Sequence, residues 1–156
     1  MSLQHDVQIR PATEDDLDAM WVIEQEVFGA QAWTRDLLQQ ELTGDYRAYR
    51  ALVDADGRTI GYAGLLAVGG DGDIQTIAVD AGARGKGYGR TLMNELLDEA
   101  TRRDVRQVFL EVRADNPVAR RLYESLGFAE LGVRPQYYQP EGIDAIVMKL
   151  EMGARR

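Results

Sequence analysis

At 156 residues and 17.4 kDa, with 45% apolar and 28% charged residues, the chain has the size and composition of a single folded domain, taken as residues 1–156. A net charge of −8 and a pI near 4.7 argue against nucleic acid as a direct partner and suit a basic protein or peptide. Cysteine is absent, no apolar run is long enough to span a membrane, and MSLQHDVQIR lacks the character of a signal peptide; the expectation is a cytoplasmic protein with no disulfide, metal or membrane partner.

Residues 7–11 read as a short strand stopped by Pro11. Thr13, with Asp16 three residues on, is a capping-box variant that opens a helix with Leu17, Met20, Trp21, Val27 and Phe28 as its apolar stripe. Gly29 ends it. Thr34 caps a second helix carrying Leu37, Leu38 and Leu42, with Gly44 as its stop. In the connector between them Trp33 has two readings, a packing anchor or a wall of a substrate groove. Residues 46–53 and 59–67 read as strands of a hairpin turning at Asp56 and Gly57, and Gly61 and Gly64 signal a bulge or a close backbone approach. Gly69, Gly70 and Gly72 form the next turn, ahead of a strand over residues 74–79.

That strand runs straight into Arg84, Gly85, Lys86, Gly87, Gly89 and Arg90, and then into a helix, about residues 87–103, with Leu92, Leu96, Leu97 and Ala100 on one face. Glycines there remove the Cβ atoms that would keep an anion off the backbone N–H groups of a helix start. The three cations reverse the sign of an acidic chain locally. A Walker loop fails, because Asp80 stands where its first glycine belongs and Gly87 where its Ser or Thr belongs. A dinucleotide fingerprint begun at Gly85 meets Arg90 in place of its third glycine. Beyond the helix, residues 105–113 form a strand interrupted by Glu111. Asn116 caps another helix, with Pro117 at its first turn and Ala119, Leu122, Tyr123 and Leu126 facing inward before Gly127. Residues 128–133 and 143–150 read as closing strands, and residues 152–156 as a frayed tail.

The spacing Arg-x-x-Gly-x-Gly at Arg84, Gly87 and Gly89 resembles the acyl-CoA pyrophosphate loop of the Gcn5-related N-acetyltransferases (GNAT), and the order of elements resembles that fold over nearly the whole chain. The resemblance implies an α/β, single-domain fold with a mixed, mostly antiparallel seven-stranded sheet, about four helices and a central splay that receives acetyl-CoA. The stretches LEVRADN, LYESLGF and YYQPEGIDAIVMKL are similar to the RimI-type enzymes, which acetylate the N-terminal alanine of a small-subunit ribosomal protein. Ala81 stands where that group usually has proline.

By this resemblance Ile77 and Val79 offer backbone to the pantetheine arm, while Arg84, Gly85, Lys86, Gly87, Gly89 and Arg90 hold the pyrophosphate. Asn116 has a cofactor contact besides its cap, or the cap alone. Glu111 matches the family's general base, desolvated at a strand end, against the alternative of an ion pair with Arg113 or Arg121. Tyr123 matches the general acid, against the alternative of a core tyrosine. Tyr137 and Tyr138 fall in a loop that resembles the hairpin closing over a peptide's first residues; if extended, they point to opposite sides. Direct attack of an amine on the thioester needs no covalent enzyme intermediate, which suits a chain whose one histidine, His5, reads by position as part of a tail. An N-terminal amine, titrating roughly 2.5 units below a lysine, costs about 3.4 kcal/mol less to deprotonate. A protein N-terminus is thus the expected acceptor, with lysine side chains, small amines or a non-catalytic acyl-CoA-binding module as alternatives.

Overall fold

The computed structural model describes residues 7–155; His5 lies outside them. Strand β1 (Gln8–Pro11) ends at its proline, and Thr13 starts a 3-10 turn (Glu14–Asp16) in which Asp16 accepts the Thr13 N–H at 2.8 Å, completing the capping box. Helix α1 (Leu17–Phe28) follows and stops at Gly29. Thr34 then caps α2 (Arg35–Thr43), its hydroxyl accepting from the Leu37 N–H at 3.1 Å. Three strands come next: β2 (Arg47–Val53), β3 (Thr59–Val68) and β4 (Asp71–Val79). Helix α3 (Tyr88–Arg102), β5 (Gln107–Arg113) and α4 (Pro117–Ser125) lead to β6 (Ala129–Tyr138), β7 (Ile143–Glu151) and a short α5 (Met152–Arg155).

The strands form one seven-stranded sheet in the order β1-β2-β3-β4-β5-β7-β6, antiparallel at every step except β4 with β5. Strand alternation sends neighbouring residues to opposite faces. Ala63, Leu65, Val108, Leu110 and Val112 pack with Leu92, Met93, Leu96 and Leu97 of α3, whereas Tyr49, Tyr62 and Ala78 pack with Leu17, Met20, Ile23 and Leu38 of the first two helices. The expected fold class is the observed one. Its centre opens as expected too, because β4 and β5 pair only at Asp71, Gly72 and Asp73 against Gln107, Val108 and Phe109. Past that point the two strands part.

Gly64 carries both features its sequence context announces. The β3–β4 register shifts between Gly64 and Leu65, and a Cβ on Gly64 would lie 2.3 Å from the Tyr49 ring. Three expectations change. Gly72 is not in the turn but pairs with Ala67 inside β4, leaving Gly69 and Gly70 to turn with φ of +60° and +91°. β6 runs on to Tyr138 instead of ending at residue 133, carried past two register breaks by its pairing with β7. The chain does not fray at residue 152: Met152 is fully buried in the α3-side core, and its N–H donates to the Arg106 carbonyl at 2.8 Å, because an apolar side chain there completes the cluster. Among the described residues no helix is long and apolar enough to cross a membrane.

Candidate active site

Between β4 and α3 the chain makes a 3-10 turn (Ala81–Ala83) and then the glycine loop. Gly85 and Gly87 have φ of +78° and +82°, the left-handed region where a side chain is strained, and Gly87 is the N-cap of α3. A Cβ on either would meet no atom of the described residues within 4 Å. Their open side therefore leaves room for a ligand against the helix start. Gly89 differs from expectation: its Cβ would lie 3.5 Å from Leu122 Cδ2, an ordinary contact, so this position faces α4 rather than open space. Lys86 and Arg84 are exposed, the Arg84 Nε lying 3.4 Å from the Val79 carbonyl. Arg90 is turned to α4 and donates to the Ser125 hydroxyl at 2.9 Å. Ile77 and Val79 are half-buried against the α3-side core, on the part of β4 that β5 has left. Asn116 caps α4 through Oδ1, which accepts the Ala119 N–H at 3.2 Å.

Across the splay, alternation along β5 buries Leu110 and Val112 and turns Glu111 to the opposite, open face. Glu111 is thus exposed rather than desolvated, a correction to the sequence reading, and its ion-pair partner is neither Arg113 nor Arg121. Arg134 of β6 donates to Glu111 Oε2 at 2.7 Å and lies over the Tyr137 ring at 4.7 Å. Arg113 instead pairs with Asp115 and lies over Tyr138. Tyr137 and Tyr138 do not point apart. Gln136 has φ of +51° and the β6–β7 register breaks between Arg134 and Tyr138, so the strand is irregular beside the pair and the two rings meet edge-on at 5.1 Å.

Tyr123 is 7% exposed on α4, edge-on to Phe128. Burial, with the nearby Tyr138 phenol, pushes it up to about 12, so it stays a hydrogen-bond donor at neutral pH. Tyr138 is also pushed up to about 12, by burial first and then by Glu111. Glu111, Tyr138 and Tyr123 thus form one electrostatic neighbourhood. Asp73, which the sequence reading passed over, joins it: it ends the paired part of β4 on the exposed face, and partial desolvation, Asp71 and Glu111 all raise its carboxyl.

On the α1 side, Trp33 is half-buried and packs against the core cluster that contains Met20 and Ile23. Its backbone N–H donates to Glu24 Oε2 at 3.0 Å. Glu24, also passed over, is 2% exposed and accepts a second, short bond from the Tyr62 hydroxyl. Burial raises its carboxyl above the usual range, opposed by those two donors. The signal was present: a carboxylate four residues past Met20 falls on the apolar stripe of α1.

A splayed sheet with a glycine loop at the head of the following helix defines the class as an N-acetyltransferase. The sequence pattern of the Acetyltransferase (GNAT) family matches residues 13–128, and the chain belongs to that family. It is 36% identical over 152 residues to the N-alpha-acetyltransferase RimI of Mycobacterium tuberculosis, covering 94% of both chains. It is 35% identical over 137 residues to the ribosomal protein bS18-alanine N-acetyltransferase of Escherichia coli, covering 86% of this chain and 90% of the relative. The crystal structure of the E. coli ribosomal-protein-S18-alanine N-acetyltransferase matches with a TM-score of 0.87 at 34% identity over 94% of each chain. A Mycobacterium leprae protein, 38% identical over 150 residues, is longer, and this chain spans 41% of it.

Proposed function

We propose that the protein acetylates the N-terminal amine of a cytoplasmic protein, with alanine preferred at the first position and a basic small-subunit ribosomal protein as the cellular acceptor. The observation that carries this reading is the parting of β4 from β5 beyond Asp73, which opens the sheet between the glycine loop and Glu111. The names of the M. tuberculosis and E. coli relatives supply the acceptor. An open face bearing Asp73 and Glu111 favours a cationic peptide.

Acetyl-CoA, when bound, supplies a thioester. The clearance at Gly85 and Gly87 fits its pyrophosphate, with the N–H groups at the start of α3 and the charges of Arg84 and Lys86 as partners. Arg90, bonded to Ser125 through one guanidinium nitrogen, adds a third positive charge near that region. Ile77 and Val79 backbone and the Asn116 end of α4 would hold the pantetheine arm. Glu111 takes the proton from the acceptor amine, whose ammonium replaces Arg134 as the carboxylate's partner. Tyr123 keeps its phenolic proton at neutral pH and acts as the general acid, protonating the departing thiolate, while the second proton lost by the attacking nitrogen restores the phenol. Tyr137, Tyr138 and Trp33 flank the peptide. All groups act within one ternary complex, with no covalent enzyme intermediate.

Steady-state rates on a matched pair of peptides test this, one beginning with a free alanine and one N-blocked with an internal lysine. The free-alanine peptide should be acetylated at least about a hundredfold faster, the scale of the difference in deprotonation cost. A preference for the blocked lysine peptide would overturn the N-terminal assignment.

A further inference from the structure

Among the described residues, Asp16 and Glu24 are the buried charged side chains. Asp16 has a cation, Arg10, at 2.7 Å. Glu24 is held by bonds of another kind: the Tyr62 hydroxyl donates to Oε1 and the Trp33 backbone N–H to Oε2. A buried carboxylate held by neutral donors is costly, and the two donors come from separate parts of the chain that otherwise meet through apolar packing. Tyr62 belongs to β3, in the middle of the sheet. Trp33 belongs to the connector over residues 29–34, between α1 and α2. That connector also reaches the other side of the site: Gln31 Nε2 donates to the carbonyl of Gln139, next to Tyr138. It therefore spans from the sheet interior to the turn that follows the tyrosine pair.

We infer that Glu24 is a positioning residue, whose buried carboxylate fastens the connector to β3 and so fixes the peptide-facing wall opposite Tyr137 and Tyr138. The inference rests on the functional reading above. It assigns Glu24 an effect on peptide affinity, with none on acetyl-CoA binding and little on the chemical step, because the glycine loop and Glu111 lie on other elements. The requirement is for hydrogen-bond acceptance, not charge. A glutamine can accept from the Trp33 N–H and donate to the Tyr62 oxygen. The Tyr62 proton then has the hydroxyl of Thr76, which lies against it, is buried and has no hydrogen-bond partner among the described residues.

The test compares Glu24→Leu and Glu24→Gln by backbone hydrogen exchange over residues 29–34 and by KM and kcat on the alanine peptide. Loss of a buried hydrogen-bond anchor should speed exchange of the Trp33 amide about tenfold or more in Glu24→Leu and raise the peptide KM by about tenfold, with acetyl-CoA affinity and kcat within about twofold. Glu24→Gln should stay close to the parent in all of these. If Glu24→Leu does not fold, the pair Glu24→Leu with Tyr62→Phe leaves no orphaned hydroxyl in the core and carries the same expectation. Unchanged exchange in the leucine variant, a loss falling on kcat or on acetyl-CoA, or a glutamine variant as impaired as the leucine one would each overturn the inference. Should the parent enzyme prefer the lysine peptide, the functional reading fails by itself, and exchange at Trp33 together with KM for the preferred peptide still decides the role of Glu24.

Discussion

Replacing Gly87 and Gly89 separately by alanine should pull stability and cofactor affinity in different directions. At Gly87 the backbone sits at φ +82°, where an L side chain costs about 1 kcal/mol, and the added methyl enters open space before the first turn of α3. At Gly89, which lies inside α3 and outside the positive-φ set, alanine meets Leu122 at an ordinary 3.5 Å and recovers about 0.5 kcal/mol of helix propensity. The two variants should thus differ by about 1.5 kcal/mol, or roughly 3–6 °C in melting temperature for a domain of this size. A methyl in the anion cradle displaces a charge-assisted hydrogen bond of about 1.5–3 kcal/mol, so Gly87→Ala should weaken acetyl-CoA about ten- to a hundredfold. Gly89→Ala should bind within about threefold of the parent, as an ordinary van der Waals contact requires no displacement. Calorimetric titration with acetyl-CoA, alongside thermal melts of both proteins, measures all four quantities. Equal loss of affinity at the two positions, or full affinity in a folded Gly87→Ala, would refute the assignment of clearance to Gly85 and Gly87.

Glu111→Gln should lower turnover on the alanine peptide by about 10² to 10⁴ while acetyl-CoA affinity stays put, and Tyr123→Phe should lower turnover without raising KM; full rate near pH 7 in Glu111→Gln would place the base elsewhere. Asp16 accepts from Arg10 at 2.7 and 2.8 Å, from the Thr13 N–H and from Thr59, and the Arg10 bond holds its carboxyl below the usual range. Its stabilising contribution is therefore present above the unfolded-state pKa of about 3.9 and is lost as the pH falls through the lower folded value. Asp16→Asn should cost about 2–3 kcal/mol in urea unfolding at pH 7 and progressively less below pH of about 4; a gap of the same size at pH 3 would contradict this.

The sequence by itself determined what depends on neighbours along the chain. The caps at Thr13, Thr34 and Asn116, the glycine loop and the order of strands and helices are written in runs of a few residues, and each is found where it reads. Gly64 was legible because a glycine inside a strand has few uses. What only the tertiary structure decided involves partners set by sheet register. Glu111 meets Arg134 across 23 positions, and Glu24 meets Tyr62 across 38. Strand alternation and the meeting of β5 with β7 and β6 select the first pair, and α1 lying over β3 selects the second. Neither choice leaves a local trace. The tyrosine pair shows the same limit in reverse: periodicity sends Tyr137 and Tyr138 apart, but a register break beside Gln136 interrupts the regular strand on which periodicity depends.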